Sequence, residues 1–203
     1  MNSADSFELL RDEILACYKC GEAFSDIIFA HRTGTVSRSS QDVFMIAERP
    51  GQRAVNCPAT TAVEYEALQQ GSDYGRFIEE LGLSFVRVYF SNIVKCAAQD
   101  QRDATTIELH NCRHFLFRQI AIKRPTVLIA CGKPTLRGLT GKAFRVGEDA
   151  GRIIDWTHPG TQQVFKTIIS PNPGGTYFKI HRDRILKSVR QSLFSLLPPA
   201  TPV

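Results

Sequence analysis

Four short apolar runs, set far apart along the chain, limit the folds open to it more than any other feature. They are VFMIA (43–47), VRVYFSNIV (86–94), TVLIAC (126–131) and VFKTIIS (164–170). Each is rich in β-branched or aromatic residues and bounded by Gly, Pro or polar turn residues, so each reads as a buried strand. RIIDW (152–156) adds a strand joined to VFKTIIS by the polar turn THPGTQQ. Helical patterns lie between them. Phe7, Leu10, Ile14 and Leu15 predict a helix over 5–16. Asp73 reads as the N-cap of a helix through Leu81, with Gly82 just past its end. Thr105 or Thr106 with Glu108 opens a long helix through Ile122, stopped by Pro125. PTLRGL is a short helix after Gly132, and a last helix runs from about Phe178 to Leu197. Strands that alternate with helices imply an α/β layered fold with a mainly parallel sheet.

The chain has 203 residues and no internal repeat, so a single domain over 1–203 is expected, with a frayed tail at about 198–203 (PPATPV). Lys+Arg 25 against Asp+Glu 20 gives +5, a balance compatible with nucleic acid that does not by itself establish it. No apolar run is long enough to span a bilayer, and MNSADSFELLRDEI lacks the basic start and apolar stretch of a signal peptide. A cytoplasmic protein is expected. Its six cysteines then read as metal ligands or buried thiols, not disulfides.

In parallel sheets ligands bind outside the carboxyl ends of the strands. The turns leaving those ends are Ala47-Glu48-Arg49-Pro50-Gly51, Ser91-Asn92 and Ser170-Pro171-Asn172-Pro173-Gly174-Gly175. All carry polar groups on tight turns and could line one cleft. Cys17 and Cys20 form a C-x-x-C at the end of the first helix, Cys96 follows the second strand, and Cys112 lies in the long helix. C-x-x-C alone serves zinc, redox and cluster sites alike. Cys96 and Cys112, taken singly, also fit buried core thiols, as do Cys131 and Cys57. One close pair with two singletons suits an iron–sulfur cluster better than the two close pairs of structural zinc.

Taken together, CYKC, AERPG, SNIVKC and NCRHFLFRQIAIKRPTVLIACGKPTLRGLTGK closely resemble the iron–sulfur (family 4) uracil-DNA glycosylases over roughly residues 10–190. The resemblance implies a three-layer α/β/α sandwich around a central, mainly parallel four-stranded sheet. It implies Cys17, Cys20, Cys96 and Cys112 as ligands of a structural [4Fe-4S] cluster, and DNA as the partner of a monomer. The chain departs from the family pattern in three places. Ala47 and Arg49 stand where the family's first motif has Gly and Ala. AVNCPATTAVEYEALQQG replaces a stretch that carries the Phe stacked on uracil. Asn172-Pro173 replaces His-Pro, and His158-Pro159 is a decoy one strand too early.

Excising a base means extruding the nucleotide, reading its edge and cleaving the glycosidic bond through an oxocarbenium-like sugar. Glu48 is the carboxylate at a strand end in this set, and the resemblance lifts it from a solvated turn residue to the group that stabilises the sugar or orients water. Asn172 is expected to donate to the leaving base, and Asn92 to read the base edge or to satisfy loop backbone. Arg49 has three open readings: gripping a phosphate or base acceptor, pairing with Glu48, or facing solvent. Gly51, Gly174 and Gly175 allow close backbone approach to DNA. Tyr177 stands where the family inserts a wedge, whereas Phe178 reads as packing. Arg182, with Lys179, His181 and Arg184, makes a basic helix start suited to phosphates. The expected activity is that of a monofunctional DNA glycosylase for uracil in repair or for a modified pyrimidine, such as a glucosylated hydroxymethylcytosine of phage DNA, in defence. The alternative is a non-catalytic iron–sulfur DNA-binding or base-sensing protein on the same fold.

Overall fold

The computed structural model describes residues 3–20, 42–50, 71–96, 98 and 102–197. Gly51, Cys57, most of the 54–71 segment and the 198–203 tail lie outside the described residues. The elements are α1 (Ser3–Leu15), β1 (Val43–Ala47), α2 (Asp73–Glu80), a 3-10 turn (Phe85–Arg87), β2 (Val88–Asn92), α3 (Thr106–Lys123), β3 (Val127–Cys131), α4 (Lys133–Thr140), β4 (Ile153–Thr157), β5 (Val164–Ser170), α5 (Thr176–Ile180) and α6 (Arg182–Leu196). Among the described residues no helix is long and apolar enough to cross a membrane.

The sheet has five strands in the order β2-β1-β3-β5-β4, not the four expected. β1, β2, β3 and β5 are parallel; β4 is the extra strand, an antiparallel edge paired Ile153↔Ile168 through Thr157↔Val164. Its side chains are mostly exposed apart from Trp156, as befits an edge covered on one face only.

Each central strand splits its side chains between two cores, because successive residues point to opposite faces. Phe44, Ile46, Tyr89, Leu128, Ala130, Phe165 and Ile169 pack with Leu10, Ile14, Leu116 and Leu136 of α1, α3 and α4. Val43, Met45, Phe90, Val127, Ile129 and Ile168 pack with Phe77, Phe178, Ile185 and Leu193 of α2, α5 and α6. Three layers result. Every buried Leu, Ile, Val or Phe contributes about 1.5–3 kcal/mol, so both faces of the sheet are firmly held and its strand ends form a rigid rim.

Helix ends follow local chemistry with two corrections. Ser72, not Asp73, caps α2, its Oγ accepting from Gly75 N at 2.9 Å. Asp73 is thereby the first helical residue, free to pair with Arg76 at 2.6 Å. α3 has the expected capping box between Thr105 and Glu108. The single last helix is broken at His181, whose N–H is shared between Tyr177 O and Phe178 O at 3.1 and 3.2 Å. That tightened turn lets Phe178 drop edge-on against Phe77, 5.3 Å away, while α6 starts afresh with Ile185 in the same core.

Candidate active site and thiol centre

With four strands parallel, Ala47, Asn92, Cys131 and Ser170 all end at one rim. The turns beyond them stay laced together. Ile93 N donates to Ala47 O and Val94 N to Glu48 O, both at 2.9 Å, and Gly132 N donates to Ser170 O at 2.8 Å. Gly132 has φ +94°, a left-handed value natural to glycine, and a Cβ there would lie 3.7 Å from Asn172 Cβ. A Cβ on Gly174 would fall 2.9 Å from Asp73 Oδ2, so the turn after β5 sits close against the start of α2 and a larger residue would have to displace the Asp73 carboxylate.

Asn172 Oδ1 accepts from Gly174 N at 3.0 Å, an Asx turn that fixes which way the amide faces. Its NH2 has no partner among the described residues. Asn92 is buried, paired in register with Ala47, and its carbonyl accepts from Lys95 Nζ at 2.5 Å. Lys95 was not singled out from the sequence. Its ammonium is buried and also donates to Ser91 Oγ at 2.9 Å and Gln119 Oε1 at 2.6 Å. Burial pushes it down to about 7, with Cys112 pulling the other way. Tyr74, in the first turn of α2, was also missed. Its ring meets Phe90 edge-on at 5.1 Å. Burial drives its phenol well above the usual tyrosine range, and Cys131, Glu48 and Asp73 add to the rise. An aromatic in the first turn of a helix that opens at the rim was the signal available.

Glu48 Oε1 accepts from Ala104 N, which aims the carboxylate from a chain position 56 residues distant. Burial raises its pKa; Asp103 and Glu108 raise it further, while the Ala104 bond and Arg49 oppose. Arg49 neither pairs with Glu48 nor faces solvent. Its side chain is 8% exposed and its Nη2 donates to Glu108 Oε2 at 3.1 Å. Glu108 also accepts from Arg102 at 2.7 and 3.1 Å, from Thr105 N at 2.8 Å and from Thr105 Oγ1 at 2.9 Å. Burial disfavours its charge, but the bonds from Arg102 and Thr105 and the charge of Arg49 hold it down at about 2.

Gly175 opens α5, where a Cβ would lie 3.1 Å from Asn172 O. Tyr177 is partly exposed; its hydroxyl accepts from Arg184 Nη2 at 2.8 Å and its ring lies 4.5 Å from His181. Phe178 is buried. Arg182 is tied to Glu80 and Asp183, and Lys179 stands 3.9 Å from Asp73, so this basic helix start is partly neutralised. His158 is a structural residue of the β4–β5 hairpin. Its Nδ1 accepts from Gly160 N at 3.1 Å and Thr161 N at 3.0 Å, so the proton sits on Nε2, facing Phe117 O at 2.9 Å.

The four candidate thiols are drawn to one end of the molecule. Cys17 and Cys20 follow α1, which α3 holds through the Arg118–Glu13 pair and through Asn111 Nδ2, donating to Lys19 O at 3.1 Å. Asn111 Nδ2 also faces Cys20 Sγ at 3.7 Å, and Lys95 N donates to Cys112 Sγ at 3.2 Å. Burial, then Cys112, Cys20 and Cys17 in that order, push the Cys96 thiol up to about 12, against the pull of Arg49. Burial likewise raises Cys112, where Lys95 opposes and Cys20 and Cys17 add. Among the described residues no three His, Cys, Asp or Glu side chains close around a single metal ion. Cys131 stands apart, buried at the end of β3.

The chain is similar to the type-4 uracil-DNA glycosylase of Saccharolobus solfataricus, 27% identical over 176 residues that cover 82% of this chain and 74% of that protein. It is 36% identical to the Thermotoga maritima protein of the same name over 91 residues, 44% of this chain and 46% of the relative. It is 26% identical to that of Sulfurisphaera tokodaii over 73% of this chain and 63% of the relative. The aligned part thus spans less than two thirds of the last two relatives' length. The family model for the uracil DNA glycosylase superfamily matches residues 33–181, which include β1 through β5 and every rim turn described above. The chain belongs to the uracil DNA glycosylase superfamily.

Proposed function

We propose that the protein is a monofunctional DNA glycosylase whose rim extrudes one nucleotide and hydrolyses its glycosidic bond. The observation that carries this reading is Glu48, a carboxylate at the end of β1 aimed by the Ala104 amide and flanked by the buried Asn92. An oxocarbenium-like sugar needs a negative group beside it, and a carboxylate in a partly desolvated site acts more strongly than in water. One Glu48 oxygen is committed to Ala104, so the other orients the attacking water or faces the sugar. Asn172 presents its NH2 to the departing base oxygen, and Asn92 reads the base edge. Gly174 and Gly175 admit a phosphate, with Tyr177 and Arg182 beside them on the DNA-facing side.

The four-thiol end fits an iron–sulfur cluster. Its donors are soft, with Cys112 buried and Cys17, Cys20 and Cys96 half-buried, they repel one another as thiolates, and two N–H groups already face the sulfurs of Cys20 and Cys112. Cys17, Cys20, Cys96 and Cys112 would hold a [4Fe-4S] cluster. When bound, it ties the end of α1 and the end of β2 to α3; base release proceeds without it as a reactant.

The base itself follows from what replaces the family's groups. Asn172 carries no charge, and the uracil-stacking Phe is absent from the sequence. Both favour a pyrimidine other than plain uracil, such as the glucosylated hydroxymethylcytosines of phage DNA, which would place the enzyme in defence. The test is single-turnover release of uracil, hypoxanthine and hydroxymethylated and glucosylated cytosines from matched duplexes. The modified cytosines are expected to be released, and Glu48→Gln to slow release by at least about a hundredfold with DNA affinity kept. Uracil released fastest by a wide margin overturns the choice of base. No release of any base, with Glu48→Gln indistinguishable from wild type, gives the case to a non-catalytic DNA-binding protein.

A further inference from the structure

Arg49 is a cation with work left over. Its side chain is 8% exposed, yet Nε and Nη1 are buried and have no partner among the described residues. Guanidinium does not give up its proton, and buried donors left unmade are costly. Glu108 cannot take more, since Arg102 and Thr105 already crowd its oxygens. Glu48 has one oxygen committed to Ala104 and is itself shifted toward the neutral acid by burial. The chain after β2 passes this turn. Val94 N bonds Glu48 O, so residues 94–96 pass alongside Glu48 and Arg49, and the arginine's charge is felt at the Cys96 sulfur.

We propose that Arg49 is the charge-compensating partner of the iron–sulfur cluster, its unspent Nε and Nη1 donating to the Cys96 thiolate or to a cluster sulfide while Glu108 anchors the other end. The inference rests on the cluster reading above. Four thiolates outweigh the charge of a four-iron core, so the loaded site is a partly buried anion, and a fixed cation beside it is favourable. The Arg at this position, where the resembled motif has Ala, then serves the cofactor and not the base. Outer-shell donors to ligand sulfurs are known to tune such centres.

The test compares wild type, Arg49→Gln and Arg49→Lys, each purified anaerobically. Iron per chain, the midpoint of an EPR-monitored reductive titration, and loss of the broad visible absorption in air are measured. Removing a positive charge beside an anionic cluster makes an added electron less welcome and a lost one easier. Arg49→Gln is therefore expected to keep its iron, to show a more negative midpoint, and to bleach in air at least about threefold faster. Arg49→Lys keeps the charge but loses the planar fork, and falls between. A midpoint and bleaching rate unchanged in Arg49→Gln, with KM for damaged DNA raised instead, overturns the proposal in favour of donors spent on substrate. If Arg49→Gln does not fold, Arg49→Lys decides: bleaching like wild type overturns the proposal, faster bleaching supports it. A colourless, iron-free wild type overturns the cluster reading and this inference together, which a brown wild type matched by its variants does not.

Discussion

Replacing Glu108 by Gln tests the network that holds Glu48 and Arg49 in place. The wild-type carboxylate accepts from Arg49, Arg102 and Thr105 and lies at about 2 against an ordinary 4.5. Full burial would make that difference worth roughly 3 kcal/mol. Arg102 is 42% exposed, so solvent screens its share and about 2 kcal/mol is the better figure. The Gln variant also leaves Arg49 buried without its counter-charge, which brings the expected loss to about 3 kcal/mol. For a chain of this size that lowers Tm by roughly 6–12 °C. The folded-state value lies below the unfolded one, so this stability is present above about pH 4.5 and is lost only as pH falls toward about 2. Thermal melts followed by circular dichroism in anaerobic buffer should therefore show a Tm gap that stays constant between about pH 6 and 8. A gap under about 2 °C, or one that changes across that range, would refute the argument.

Three further outcomes are expected. Burial lifts the Glu48 carboxyl, so the acid limb of the base-release rate should lie above the ordinary carboxylate range, with activity falling as pH drops through it; a limb at or below that range removes Glu48 from the reacting centre. Arg182→Glu with Arg184→Glu should weaken DNA binding equally for all sequences and flatten the dependence of log affinity on log salt by about two; a sequence-selective loss contradicts a phosphate role. His158→Ala should cost about 3 kcal/mol in a denaturant titration, because it leaves a cavity and frees two backbone N–H groups, while kcat for base release is unchanged.

The fold was legible where the pattern is local. The runs 43–47 and 164–170 became strands at those limits, and Thr105 with Glu108 capped α3 because side chain and backbone satisfy one another three residues apart. Other boundaries shifted where tertiary contacts outweighed local preference. β2 is shorter than 86–94 because Phe85–Arg87 winds into a 3-10 turn before the strand, and Arg87 pairs with Asp42 at 2.7 Å, 45 residues away. Likewise the last helix breaks at His181, although Phe178 and Ile185, seven residues apart, would share one face of an unbroken helix and both enter the same core. No periodicity in the last helix announces it.

Residue type pointed to the site, but not to who holds whom. Glu48, Asn92 and Asn172 stand at strand ends because parallel topology places all such ends together, and that much follows from counting alternating elements. Most partners that set their chemistry come from far along the chain: Ala104 for Glu48, Glu108 for Arg49, and Gln119, which accepts from the Lys95 that caps the Asn92 carbonyl three residues on. Arg49 shows why this matters. Read alone, an arginine next to a catalytic glutamate is a ligand-binding residue, a partner to its neighbour or a surface charge. Burial against a saturated Glu108 excludes the last two and leaves its remaining donors in need of an acceptor. On the proposed reading, the same turn carries a carboxylate for the sugar on one residue and the cluster's counter-charge on the next. A strand-end turn permits that division because consecutive side chains leave it in different directions, with Ala104 just ahead of α3 anchoring Glu48 and Glu108 in its first turn anchoring Arg49.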